Sequence, residues 1–387
     1  MIYLDNSATT VLCEGARSRM NEAMDCFGNP SSLHSVGYEA SVMLGEARQT
    51  VLASLGVRKN GDYELFFTGS GTEANSMALC GVATAKTRQP SRCIIISDSE
   101  HPSVEQPAQW LAGQGFDVVR IPTRGGVLDM DALHAALSGG VALISLMLVN
   151  NETGALYDVA SAFAAARRAN PDVVTHCDAT QGYLKVVGLT PARLGADLMT
   201  VSAHKIHGPK GVGALCVSKN ILKTRRLAPI IRGGGQEGGM RSGTENMIGI
   251  CGFMGAVEAY RPRLEADISH MTEVRDYAVA ALSGIPGVRM NIPSGARAPH
   301  IVNLTLPDIK SETMVHFLSS AGVAVSGGSA CSSHSQHVSP SLLGFGLTQK
   351  EAMCSLRISL CPENTAADID ALVSALHGGV ERLVRVR

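Results

Sequence analysis

Three short stretches of this chain carry residue types that can do chemistry, and each begins where an apolar run ends. The first is Phe66 to Asn75 (FFTGSGTEAN), where strand-like residues give way to glycines and then to a helical pattern. A helix N-terminus offers free N–H groups and a positive dipole end, which suit a phosphate, and Thr72 adds a hydroxyl. Alone, the stretch fits a tight βα turn with Thr72 as N-cap even better. The second, Thr175 to Gln181 (THCDATQ), puts Asp178 at the carboxyl end of an apolar strand, the edge at which open α/β sheets bind ligands. A carboxylate there can keep a heteroaromatic ring nitrogen protonated, and it can equally cap a helix. The third, Val201 to Gly211 (VSAHKIHGPKG), places Lys205 on a loop beside two histidines and glycines. Such a lysine can condense with an aldehyde if burial or a nearby charge deprotonates its amine. Ser202 and His204 suit a phosphate, whereas most single lysines are simply exposed.

The order of the three adds what none carries alone. A phosphate-type helix start, a strand-end Asp and then a strand-end Lys is the order of parts in pyridoxal 5'-phosphate (PLP) enzymes of the aspartate-aminotransferase fold. The wording is more specific still. YLDNSATT, FGNPSSLH, TGSGTEANSMAL, SEHPSV, VNNETG, DATQ, SAHKIHGPKGVGAL, GGGQEGGMRSGTEN, SGGSACSS and LRISL resemble, in order, the blocks of NifS/IscS-type cysteine desulfurases across nearly the whole chain.

That resemblance implies a role for each matching residue. Lys205 is implied to hold the PLP aldehyde, and Asp178 to hold the pyridine nitrogen. Gln181 is implied to bond the ring hydroxyl with Asn151 close by, and His101 to stack on the ring and move protons. Gly71, Thr72, Ser202 and His204 match phosphate-binding positions. Thr244 matches one that reaches the phosphate from the other subunit of a homodimer. Arg357 matches the residue that pairs with the substrate carboxylate, a task its guanidinium fork suits.

Cys331 lies in Ser326 to Ser333 (SGGSACSS), a small-residue loop expected to be mobile. A thiol there can reach the cofactor, attack a substrate sulfur and carry it away, while the other nine cysteines read as small core residues. The implied reaction converts L-cysteine to L-alanine and leaves a persulfide on Cys331 for a sulfur-acceptor protein, in iron–sulfur cluster assembly or in thiolation of tRNA or other targets. An aminotransferase or selenocysteine lyase on the same scaffold would not need Cys331. Cys331, His334 and His337 have a spacing that admits a metal, but no fourth ligand stands nearby, so no metal is expected.

These residues require a frame. ELFFT, RCIIIS, DVVRI, VALISLMLV, DVVTHC, LMTVS and VGALCVS alternate with helical stretches, which predicts βαβ units and a mainly parallel sheet with helices on both faces. The glycine-rich segment from Ile231 to Gly243 reads as a loop closing that sheet. Beyond it come a helical run toward Leu282, strand-like HIVNLTL and VAVSGG, and two closing helices. The expected fold is therefore α/β and PLP-transferase-like. It has a large domain over residues 13–255 and a smaller α/β domain from residues 1–12 and 256–387. At 387 residues the chain exceeds what one core usually supports. Hydrophobic residues make up 45% and charged ones 17%, with a net charge of −1, which predicts a soluble protein that binds neither nucleic acid nor membrane. The amino terminus lacks a basic and apolar leader, and the ten cysteines form no C-x-x-C pair, so the reducing cytoplasm is expected.

Overall fold

The computed structural model describes residues 1–85, 91–327 and 338–383. Cys331, His334 and His337 lie outside the described residues. The chain opens with β1 (Ile2–Tyr3), α1 (Glu14–Asp25) and α2 (Ser35–Ser54). Next come β2 (Tyr63–Thr68), α3 (Gly71–Ala83), β3 (Cys93–Ser97), α4 (Pro102–Gly113), β4 (Asp117–Ile121) and α5 (Met130–Leu137). They lead to β5 (Leu143–Met147), α6 (Val159–Ala169), β6 (Val174–Asp178), α7 (Pro191–Leu194), β7 (Leu198–Ser202) and β8 (Gly213–Ser218). Helices α8 (Lys219–Lys223), α9 (Met247–Tyr260) and α10 (Leu264–Ser283) follow. The remainder is β9 (Arg289–Met290), β10 (Ile301–Thr305), α11 (Ser311–Ser320), β11 (Val323–Ala324) and β12 (Ser326–Gly327). It ends in α12 (Pro340–Phe345), α13 (Gln349–Met353), β13 (Ser355–Ser359) and α14 (Ala366–Arg382).

The large sheet has seven strands in the order β2-β8-β7-β6-β5-β3-β4, and its strands coincide with the seven apolar runs. Strand β8 runs antiparallel to both β2 and β7, and every other pairing is parallel. Strands β5, β6 and β7 are buried along their whole length, as the inner strands of a sheet covered on both faces must be. Register aligns their carboxyl ends: Met147 pairs with Asp178, Asp178 with Thr200, and Ser202 with Gly213. Separate apolar cores fill the two faces, one including Phe163, Tyr183 and Phe253, the other Met77, Leu79 and Leu111.

A second sheet, ordered β12-β13-β10-β9, is antiparallel and packs with α10, α11 and α14 around its own core of Leu304, Leu318, Ile358 and Leu376. Strand β13 departs from the sequence reading, which placed only helices in the closing stretch. The apolar run of LRISL is interrupted by Arg357, whose charge hides the strand although all five residues from Ser355 are buried. Residues 231–243 are mostly loop, with one 3-10 turn at Glu237–Gly239 whose buried carboxylate accepts from Arg48 and from the Phe67 amide. Leu4 joins the second core, and β1 pairs in parallel with β11. No helix among the described residues is long and apolar enough to cross a membrane.

Candidate active site

The carboxyl ends of β6 and β7, the amino end of α3 and the first residues of the chain enclose a cavity of about 280 Å³. Gly71, Thr72, His101, Asn151, Asp178, Gln181, Ser202, His204, Lys205 and Arg357 all line it. Thr244 is exposed and lines a neighbouring hollow beside Gly69 and Arg241 instead.

At the phosphate-type end, Ser70 rather than Thr72 is the N-cap, its Oγ accepting from the Glu73 amide at 3.1 Å. Gly71 opens the helix against Thr180 and Ser202, whose atoms a Cβ there would approach to 3.3–3.4 Å. Gly213 passes behind, where a Cβ would lie 2.8 Å from the Gly71 nitrogen. Glu73 fixes the turn, accepting from the Gly69 amide at 2.9 Å and from Arg241 Nε at 2.7 Å. Ser202 Oγ is buried there without a hydrogen-bond partner.

Asp178 takes two bonds of known direction. Its Oδ1 accepts from the Thr180 amide at 3.0 Å, and its Oδ2 from Asn75 Nδ2 at 2.8 Å. Asn75 also donates to Ser103 Oγ at 2.8 Å, and that hydroxyl lies 2.8 Å from His101 Nδ1. Since His101 Nδ1 also accepts from the Ser103 amide at 3.1 Å, the proton of the neutral ring sits on Nε2. Burial holds the His101 pKa below its ordinary value, with Asp178 opposing the shift. The neutral form is thereby favoured at pH 7.

Lys205 closes the 3-10 turn after β7, and its Nζ donates to the carbonyls of Ser7 at 2.6 Å and Ala8 at 2.7 Å. Gln181 Nε2 donates to the same Ser7 carbonyl at 2.9 Å, while its Oε1 is buried without a partner. His204 is pushed down to about 4, first by burial and then by Lys205. Arg357 enters from the second sheet, donating from Nη2 to Asp5 at 2.7 Å and from Nη1 to the Asn151 carbonyl at 2.9 Å. Its Nε is buried and unpaired.

Several contributors escaped the sequence reading. Asn75 and Ser103 stand inside the quoted blocks, and helical spacing alone could have put Asn75 on the face of α3 that looks back at the sheet. Asp5 gave no local signal, because its partner is 352 residues away. Glu100 was also missed: fully buried beneath the site, it is pushed up to about 8 by desolvation while accepting from Ser97 Oγ and the Met147 amide.

The unpaired Ser202 Oγ and Gln181 Oε1, the α3 amino end, the Asp178 carboxylate and the Lys205 amine form a donor set that fits a phosphorylated pyridine aldehyde. The profile of the family described as Aminotransferase class-V matches residues 2–372. A cysteine desulfurase, IscS, of Dictyoglomus turgidum is 36% identical, the match covering 99% of this chain and 95% of that protein. A solved structure described as a NifS-like protein superposes with a TM-score of 0.90 at 31% identity, covering 99% of this chain and 100% of the other. A structure of SspA in complex with cysteine gives 0.80 at 29% identity over 94% of this chain and 100% of that one. With the profile, the relatives and the fold all agreeing along nearly its whole length, this chain belongs to the class-V aminotransferase family and groups there with the cysteine desulfurases.

Proposed function

We propose that the chain is a PLP-dependent cysteine desulfurase that turns L-cysteine into L-alanine and collects the sulfur as a persulfide on Cys331. The observation carrying this reading is the convergence of Lys205, Asp178, His101 and Arg357 on one cavity. Lys205 would hold the cofactor through its aldehyde carbon, Asp178 through the ring nitrogen, and Gln181 through the ring hydroxyl beside Asn151. Gly71, Thr72, Ser202 and His204 would hold its phosphate. Bound PLP supplies an electron sink for the pair left when an amino acid loses its α-proton.

The remaining work falls to the chain itself. Arg357 offers its guanidinium to the substrate carboxylate, and Asn151 and Asp5 fix its plane. Lys205 Nζ takes the α-proton, and the Ser7 and Ala8 carbonyls are placed to accept from the resulting ammonium. Neutral His101, oriented through Ser103 with its proton on Nε2, is set to donate that proton to a reacting group in the cavity. Cys331 thiolate then attacks the substrate sulfur. The C–S bond breaks with its electrons on carbon, which takes up a proton, and the sulfur remains on Cys331 for a sulfur-acceptor protein.

Exposed Thr244, beside the Arg241–Glu73 pair, supports a homodimer in which it reaches the partner's phosphate site. The separate core around Leu304 and Ile358 supports a small domain of residues 1–12 and 256–387 set against a large one of 13–255. The nine described cysteines are all free thiols, which supports a reducing cytoplasm.

The test supplies L-cysteine to the PLP-loaded protein and measures alanine and sulfide, with Lys205→Ala and Cys331→Ser in parallel. Alanine from the parent, none from Lys205→Ala and little from Cys331→Ser is expected. Equal alanine from Cys331→Ser and the parent removes the persulfide step, and an inert parent removes the enzyme reading.

A further inference from the structure

Behind the Lys205 loop, away from the cavity, a second group of side chains comes together. His207 has a left-handed backbone, φ 65°, which a non-glycine residue adopts only when its surroundings hold it there. Three contacts do so. Its amide donates to Thr10 Oγ1 at 2.7 Å, its Nδ1 meets the Val11 carbonyl at 2.9 Å, and its ring stacks on Tyr260 at 4.5 Å. A carbonyl partner requires the proton on Nδ1, so the lone pair is on Nε2. That atom lies 3.8 Å from Glu363 Oε2. Cys361, two residues beyond β13, completes the group, and one ligand atom from each of the three lies within 4.8 Å of the others.

The surroundings of this group resemble those of a ligand set more than those of a chance cluster. Tyr260 and Arg263 both donate to Glu363 Oε1, at 2.9 and 2.7 Å, which orients the carboxylate and leaves Oε2 for another bond. A small cavity of about 20 Å³ adjoins them, lined in part by His207, Cys361 and Lys185. A space of that size holds one water, since about 10–15 Å³ suffices. Lys185 Nζ has no hydrogen-bond partner although the residue is only 6% exposed.

We propose that His207 Nε2, Cys361 Sγ and Glu363 Oε2 bind one borderline-soft divalent cation of the zinc class, with a water in the adjoining cavity as fourth ligand and Lys185 Nζ donating to that water. The donor set decides the class. Imidazole with thiolate selects zinc over magnesium or calcium, which ask for oxygen ligands in larger number. Tetrahedral bonds of zinc length set ligand separations of roughly 3.3–3.7 Å. The three side chains therefore need to close by no more than roughly 1.5 Å, by rotation. On binding, the Cys361 thiol gives up its proton and its contact with Asn364 Oδ1. Thiolate and carboxylate balance the ion, and the half-exposed Glu363 side chain leaves an entry path. The bound ion ties the loop after Lys205 to the end of the strand that carries Arg357.

The test strips the PLP-loaded full chain with a chelator, titrates it with zinc against a competing indicator, and counts the metal retained per chain. Cys361→Ser, Glu363→Gln and Cys331→Ser are run in parallel. One tightly held zinc in the parent and in Cys331→Ser is expected, with affinity lowered by more than roughly 100-fold in Cys361→Ser, because loss of even an outer-shell partner costs about 10–100-fold. Glu363→Gln, altered at a half-exposed side chain, should weaken binding too, so the result stands even if Cys361→Ser folds poorly. No retained zinc in the parent, zinc indifferent to both Cys361→Ser and Glu363→Gln, or zinc lost only with Cys331→Ser overturns the proposal.

Discussion

Asn75 joins the two chemical halves of the site, because one amide nitrogen donates both to Asp178 and to the hydroxyl that orients His101. Asn75→Leu would leave a buried Asp178 oxygen without its donor. The expected loss is about 1–3 kcal/mol of stability, with weaker PLP retention, read by denaturant unfolding and by equilibrium dialysis of the cofactor. Glu100 makes a second prediction, in pH. Its folded pKa, about 8, lies above the ordinary 4.5 because burial penalises the charge. The folded state therefore binds the extra proton between those values. The associated stability is full below about pH 4.5 and is lost as pH rises through about 8, on the order of 5 kcal/mol across the window. Glu100→Gln should flatten that decline in unfolding curves taken from pH 5 to 9, and an unchanged slope would refute the assignment. Lys205, Asp178 and Gly71 were readable because each sits where a sequence pattern changes. Asn75 was not, since its meaning depends on a partner 103 residues away.

Helix α1 crosses α9 at paired glycines. A Cβ on Gly255 would lie 2.2 Å from the Gly15 carbonyl oxygen, and one on Gly15 would lie 2.9 Å from that of Gly255. Backbone cannot yield as a side-chain tip can, so Gly255→Ala should destabilise by about 1–3 kcal/mol. Gly45, exposed within α2, is the contrast. Nothing lies within 4 Å of a Cβ there, so Gly45→Ala should stabilise by about 0.5–1 kcal/mol. Thermal unfolding of both variants checks the pair, and shifts of the same sign would contradict it. Elements of this kind were readable to different depths. Alternating apolar runs disclosed all seven strands of the large sheet, because buried parallel strands are apolar on both faces. The antiparallel course of β8 was not disclosed, since direction depends on where the intervening turn leads. The sheet closes at Ser218, before the glycine-rich segment that seemed to mark its end. What that segment contributes is Glu237, a charge drawn inward by Arg48 that no apolar period can reveal.

Across the whole molecule the first residues act as a strap. Ile2 and Leu4 donate to Gly322 and Ala324, Asn6 donates to the Ser359 carbonyl, and Thr10 and Cys13 donate to the carbonyls of His204 and His207. The strap thus fastens the strand bearing Arg357 to the loop bearing Lys205. It also supplies the Ser7 and Ala8 carbonyls that receive Nζ, and Asp5 for Arg357. Residues 1–12 were expected in the small domain, and two of them, Ser7 and Ala8, also line the cavity. Leu4 is fully buried in the second core, so Leu4→Ala should cost about 2–5 kcal/mol while leaving every active-site side chain in place. Removal of residues 1–10 goes further, taking away Leu4, the two carbonyls and Asp5 together. Calorimetry should then show the single transition of the parent split in two, the core around Leu304 and Ile358 melting first, and PLP retention should fall. A truncated chain that still unfolds in one step and holds PLP as tightly as the parent would show that the two cores are coupled through their direct contact and not through the strap.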